Sequence, residues 1–166
     1  MDFSPSGNLL AAVDSSDEHQ VAVFNVESGL CVAITRGDKS QIISVSFKDQ
    51  ISFATAGVKH FKVWSLGNGL TSKSALWGRH ADRNLACVVH HDQQFLTGSA
   101  KGSLLVWSGN SLRKPIDGLH SGVLDAICAR PSAIFTGGRD MVINVLDAKS
   151  FTKHFTISLS IDRFNS

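Results

Sequence analysis

Seven histidines and three cysteines are the side chains of this sequence best equipped for chemistry, and Cys87 to His90-His91 is their densest group. A structural metal site wants four convergent ligands. Side chains alternate along an extended strand, which sends Cys87 and His90 to opposite faces. His91 falls at a turn into Asp92-Gln93-Gln94. The segment therefore reads as a strand running into exposed loop histidines, and neither a metal nor a cofactor is expected. Gly137-Gly138-Arg139-Asp140 resembles an anion-binding nest. It lacks the following helix and the Lys-Ser/Thr pair of a phosphate loop, so it reads as a hairpin turn in which Asp140 caps backbone amides. There is no Gly-x-Ser-x-Gly elbow. The Ser, His and Asp residues fall on repeat positions, so no catalytic residue is expected and the chain reads as a non-enzyme.

That repeat is the stronger signal. Phe95 to Ser108 reads as a strand, a Lys101-Gly102 turn and a second strand ending on Trp107, because glycine supplies the positive φ that hairpin turns demand. The ends of the corresponding strands are Phe24, Trp64, Trp107 and Leu146, at intervals of 40, 43 and 39 residues. Thr55, Thr97 and Thr136 recur at 42 and 39. Gly37-Asp38, Arg79-His80 and Leu119-His120 recur at 42 and 40, each ahead of an apolar segment. A period near 40 holding about four strands is the mark of a propeller blade. The expected fold is all-β, with about four blades over residues 1–35, 36–77, 78–117 and 118–161. The first blade lacks most of its inner strand, and the repeat region, 1–166, reads as part of a larger propeller.

Composition agrees with that class. The chain has 166 residues, 43% of them hydrophobic, with a net charge of +2. The charge is too mild and too dispersed to indicate nucleic acid, and no apolar run reaches the 18 or so residues of a membrane span. No signal-peptide pattern follows Met1. Cys31, Cys87 and Cys128 are spread one to a repeat and read as small core residues of a reducing compartment. In the second repeat the outer strand is expected over Ser74 to Trp77, after a glycine-rich Leu66–Leu70 connection. In the fourth it is expected within Lys153 to Ile161.

The repeat residues resemble the WD40 family, whose blades carry a hydrogen-bonded chain of His, Ser or Thr, Asp and Trp. The resemblance assigns His120, Thr136 and Asp140 to the fourth blade, with Leu146 in place of Trp. To the third it assigns His80, Thr97 and Trp107, with Lys101 at the Asp position. The second keeps only Thr55 and Trp64, with Asp38 for His and Val58 for Asp. A narrower resemblance, to the echinoderm microtubule-associated protein-like (EML) family, rests on four stretches: Thr35-Arg36-Gly37, Ala56 to Trp64 with Val58-Lys59-His60, the glycine-rich Leu66 to Leu70 connection, and Gly102 to Leu112. It implies a cytoplasmic, cytoskeletal scaffold that binds proteins, tubulin and microtubules among them. A generic WD40 adaptor of a ciliary, signalling or RNA-processing complex is the alternative.

In such a fold the loops entering the inner strands, and those joining the second and third strands, crowd one rim. They would bring Lys39, Lys59, His60, Arg79, Arg83, Lys101, Arg113 and Arg139 to exposed edges, a mildly basic surface suited to acidic tubulin. Trp77 has no counterpart in the repeat and is read as core packing or, if exposed, as a partner hot spot. An open arc would also leave bare blade faces, which promote self-association.

Overall fold

Short runs of alternating apolar residues, broken by glycine- and aspartate-bearing turns, fold here into strands throughout. The computed structural model describes residues 1–159, so the last two positions of the outer-strand window, 160 and 161, lie outside the described residues. Four separate antiparallel sheets form in chain order, each a simple meander. Blade 1 contains β1 (Asp2–Phe3), β2 (Leu9–Val13), β3 (Val21–Asn25) and β4 (Cys31–Thr35). Blade 2 contains β5 (Ile42–Phe47), β6 (Ser52–Gly57), β7 (His60–Gly67) and β8 (Gly69–Ser74). Blade 3 contains β9 (Leu85–His91), β10 (Gln94–Ser99), β11 (Leu104–Ser108) and β12 (Ser111–Ile116). Blade 4 contains β13 (Leu124–Ala129), β14 (Ala133–Gly138), β15 (Val142–Asp147) and β16 (Lys153–Ser158). The sheets stack as successive blades and, among the described residues, do not close into a ring.

The outer strand of blade 2 departs from the sequence reading. It is Gly69–Ser74, and Leu66–Leu70 is the tip of a long hairpin in which Leu66 faces Leu70 and Gly67 faces Gly69. Gly69 takes φ 126°, a value open to glycine, and this permits the reversal around Asn68. After Ser74 the chain instead leaves the sheet. Ala75 and Trp77 turn into the seam with blade 3, and Leu76 bridges to Ser111.

The core lies between blades. Ala11, Val21 and Val23 of blade 1 meet Phe47, Phe53 and Trp64 of blade 2. Ala54, Ala56 and Phe61 of blade 2 meet Leu85, Phe95 and Trp107 of blade 3, with Phe61 stacked on Trp107 at 4.1 Å between ring centroids. Leu96, Leu104 and Val106 of blade 3 meet Leu124, Ile134 and Leu146 of blade 4. Burial of apolar area on this pattern, at about 25 cal/mol per Å², binds each sheet to the next. The cysteines do not share that core as expected. Cys31 and Cys128 are exposed because they lie on the outward faces of the two end blades, and only Cys87 sits in a seam. Burial pushes its thiol up to about 12.

Candidate protein-binding edge

In a meander the second-to-third strand turns and the connections between blades all emerge at one edge of the sheets. Here that edge carries the β2–β3, β6–β7, β10–β11 and β14–β15 turns together with the β4–β5, β8–β9 and β12–β13 connections. In blades 2, 3 and 4 an aspartate ties the connection to the turn, each by a different chemistry.

Blade 2 corrects the sequence reading most sharply. His60 is no rim residue: it is 2% exposed and stands at the centre of a hydrogen-bonded chain. Trp64 Nε1–H donates to Thr55 Oγ1 at 2.8 Å, and Thr55 Oγ1 lies 2.7 Å from His60 Nε2. His60 Nδ1 lies 3.0 Å from Asp38 Oδ2. Burial lowers the His60 pKa below the ordinary 6.5, against the opposing pull of Asp38, so the imidazole is neutral. The neutral ring donates from Nδ1 to the carboxylate and accepts the Thr55 hydroxyl proton at Nε2. Burial works against ionisation of Asp38. The Ser40 amide, His60 and Lys62 outweigh it, and its pKa falls to about 2. Lys62 Nζ also donates to the Gly37 carbonyl at 2.6 Å. The histidine and acid of this blade have exchanged places relative to blade 4: the acid comes from the inter-blade connection and the histidine from the third strand.

In blade 4, His120 lies in the connection and Asp140 in the turn. His120 Nδ1 is 2.9 Å from Asp140 Oδ1, and Nε2 is 2.9 Å from Thr136 Oγ1. Asp140 Oδ2 accepts from the Ser121 amide at 2.9 Å. Leu146 ends this strand with no donor to offer, and Asn144 Nδ2 donates to the Leu119 carbonyl at 2.6 Å, the counterpart of Lys62 to Gly37. In blade 3, Trp107 Nε1–H donates to Thr97 Oγ1 at 2.9 Å, but His80 does not join them. His80 Nε2 is buried without a hydrogen-bond partner among the described residues. Asp82 ties this blade instead, accepting the Lys101 amide at 3.1 Å. Lys101 thus enters through its backbone, which leaves its side chain exposed.

The remaining rim residues divide into two groups. Arg139 and Arg36 pair with Asp125 (3.2 Å) and Glu18 (2.9 Å), so the ends of the edge are charge-balanced. Arg113 lies on the outer strand β12, away from the edge. Lys39, Lys59, Arg79, Arg83 and Lys101 are exposed and form no ion pair among the described residues. Lys59 holds φ 52° at the tip of the β6–β7 turn, where its amide donates to Asn84 of the next connection. Trp77 is half-buried. It packs edge-on against Trp107 at 5.0 Å, with the Arg83 guanidinium over its ring at 6.0 Å, and so belongs to the seam. A cleft of about 80 Å³ beside it is lined by Asp38, Lys59, His60 and Trp77. On the opposite edge His91, Arg130 and Lys149 line a cleft of about 380 Å³. His91 is not the turn residue expected from sequence, since β9 runs through it; His90, on the same strand, packs edge-on to Phe95 at 5.4 Å. Among the described residues no three His, Cys, Asp or Glu side chains are grouped as metal ligands would be.

Four-stranded meanders stacked face to face, with the Thr–His–Asp chain at one edge, define WD40 propeller blades. A solved structure of RRP9 WD40 repeats superimposes with a TM-score of 0.76 at 18% identity, covering 92% of this chain and 46% of that one. This chain is a WD40-repeat protein. Its sequence is similar to echinoderm microtubule-associated protein-like 2 of Mus musculus, 30% identical over 143 residues. It is likewise 30% identical over 157 residues to the ciliary WD repeat-containing protein ctxp80 of Euplotoides octocarinatus. Those matches cover 81% and 89% of this chain and 22% of each relative, so the chain spans about a fifth of their length. No protein-family model matches the sequence.

Proposed function

We propose that this chain is a non-catalytic interaction scaffold of a microtubule-associated, EML-like protein, working in the cytoplasm at the cytoskeleton. Its binding surface is the stretch of edge on blades 2 and 3, and its partner is an acidic protein surface, tubulin in the microtubule or a protein bound to it. One observation carries this reading: Lys39, Lys59, Arg79, Arg83 and Lys101 stand exposed and unpaired on turns that Asp38, Asp82 and the Thr55–His60 chain hold in place. Fixed cations lose little side-chain-independent freedom on docking, and like-signed clustering steers an oppositely charged partner. The names of the relatives, one microtubule-associated and one ciliary, support the cytoskeletal setting.

The test is co-sedimentation with polymerised tubulin across a salt series. Pelleting that fades as salt rises, and that is lost on combined charge reversal at Lys59, Arg79 and Lys101, is the expected result. A folded chain that never pellets would refute direct contact. The second reading, a WD40 adaptor of a ciliary complex, is favoured by the longer match to the ciliary relative. It predicts capture of axonemal proteins by the wild type and not by the charge-reversed variant, with tubulin absent from the captured set.

A further inference from the structure

We propose that the cleft between blades 3 and 4, on the edge opposite the basic one, is a second binding site that takes an extended peptide by one anionic side chain. It uses none of the cations of the basic edge and stands independently of the scaffold reading.

The cleft follows from turn lengths. In blade 3, Gln94 pairs directly with His91, so only Asp92 and Gln93 lie outside the ladder between β9 and β10. In blade 4, Ala129 pairs with Ile134 and leaves 130–133 outside; in blade 2, Phe47 pairs with Phe53 and leaves 48–52 outside. Blade 3 is thus shorter on this edge than the blade beside it. The cleft of about 380 Å³ has His91 and Asp92 of blade 3 on one wall and Ala129, Arg130, Pro131 and Lys149 of blade 4 on the other. Both walls rise from one internal seam, to which Val89 and Ala129 contribute. Its volume falls within the roughly 300–1,000 Å³ of ligand sites.

Charge is sorted across this cleft. Arg130 and Lys149 are exposed, on turns that their own backbones fix. The Arg130 amide donates to the Ala133 carbonyl at 2.8 Å, and the Lys149 amide donates to Asp147 Oδ1 at 3.0 Å. The Ser150 amide and hydroxyl donate to the same oxygen at 2.7 and 2.9 Å, so the carboxylate of that turn is occupied within it. Neither cation forms an ion pair among the described residues. Asp92 lines the same cleft without pairing to either of them. It holds φ 42° and Gln93 holds φ 62°, left-handed values that glycine takes most readily. The chain therefore keeps a carboxylate where the backbone favours glycine.

Cations on one wall and an acceptor on the other match an extended peptide. Its carboxylate or phosphate lies between Arg130 and Lys149, which supply charge-assisted donors, and a neighbouring backbone N–H donates to Asp92. A free anion gains the first contact, lacks the second, and is repelled by Asp92.

Titration of the isotope-labelled chain, followed by amide chemical shifts, tests this. The probes are an acetylated, amidated Gly-Ser peptide with a central Glu, the same peptide with phosphoserine or with Gln, and sodium phosphate alone. The Glu or the phosphoserine peptide should give saturable shifts at 91–93, 130–132 and 149, and the tighter of the two identifies the anion as carboxylate or phosphate. Arg130→Gln and Lys149→Gln alter exposed turn residues and should each weaken that peptide about tenfold, the loss of one charge-assisted hydrogen bond. Asp92→Asn should weaken the peptide and not sodium phosphate. No saturable shift at these residues with either anionic peptide, equal shifts from the Gln peptide, or sodium phosphate binding as tightly as the peptides would each overturn the proposal, the last by leaving a free-anion site.

Discussion

Replacing His60 by alanine tests whether the exchanged chain in blade 2 holds that blade together. The imidazole is buried, accepts from the Thr55 hydroxyl at 2.7 Å and donates to Asp38 at 3.0 Å. Its removal leaves the Thr55 hydroxyl proton without an acceptor in the seam, a cost of about 1–3 kcal/mol. The void left by the ring adds a cavity cost of about 2 kcal/mol, the low end for large-to-small changes, because the ring already borders a small cleft. The sum is about 3–5 kcal/mol, a large share of a domain's total of roughly 5–15 kcal/mol. At about 2–4 °C per kcal/mol, the midpoint of thermal unfolding should fall by roughly 10 °C. Urea unfolding followed by tryptophan emission gives the free energy directly, with Trp64 reporting from the same blade. His80→Ala is the internal control. That ring is half-buried, and its Nε2 has no partner to lose, so the cost should stay near 1 kcal/mol or below. A double-mutant cycle between His60→Ala and Thr55→Ala should return a coupling of about 1 kcal/mol or more. Equal costs for His60 and His80, or a coupling of zero, would refute the assignment.

Acid should weaken the fold in two windows. Burial holds the folded-state pKa of His60 below 6.5, so the unfolded chain binds the proton first; its contribution is complete above pH 6.5 and declines as pH falls below that value. Asp38, at about 2 in the fold against an ordinary 3.8, contributes fully above 3.8 and loses that contribution between there and about 2. Urea midpoints from pH 7.5 to 5 should fall more steeply for the wild type than for His60→Ala, and parallel slopes would count against a buried neutral ring. Two glycines at equivalent positions should respond unequally to alanine. A Cβ on Gly98 would run into the Leu124 carbonyl and side chain of the next blade, whereas on Gly137 it would meet only the Ala126 Cβ at 3.5 Å. Gly98→Ala should cost several kcal/mol, of order 3, and Gly137→Ala less than about 1, as read from urea unfolding of each variant.

The blade architecture was legible because it is written several times over. Thr55, Thr97 and Thr136 fall at one register of the second strand, and Phe24, Trp64, Trp107 and Leu146 at one register of the third. Repetition averages out the ambiguity of any single short strand. Details that occur once were not legible. The reversal at Asn68 depends on Gly69 taking a left-handed φ, and a glycine-rich stretch reads equally well as a loose connection. His60 lies next to Lys59 in a turn of charged residues, which favours an exposed reading. It is buried because the β6–β7 turn spans two residues, Gly57 pairing with His60, where the β14–β15 turn spans three, Gly138 pairing with Val142. One residue fewer places His60 at the start of the third strand, facing Thr55. A signal was present: Asp38 stands where His120 stands in blade 4, and an acid there calls for a histidine opposite.

Asp38 in blade 2, Asp82 in blade 3 and Asp140 in blade 4 share a task and not a position. Each links the connection entering its blade to the turn between the second and third strands: Asp38 through His60, Asp82 through the Lys101 amide, Asp140 through His120 and the Ser121 amide. The edge is therefore fixed by topology at every blade, since those two loops always meet there and always leave backbone or imidazole donors for a carboxylate. Which residue supplies the carboxylate is free to vary, and so is the outer surface of each loop. The β2–β3 loop of blade 1 is held differently. Asp14 accepts from Ser16 and Gln20 within the loop, and the loop then leans on blade 2, the Asp38 amide donating to the Glu18 carbonyl at 3.2 Å. Loops fixed from beneath can change their outward side chains at little cost to the fold, and this separation of anchoring from display lets Lys59 and Lys101 project from turns whose geometry is set by His60 and Asp82.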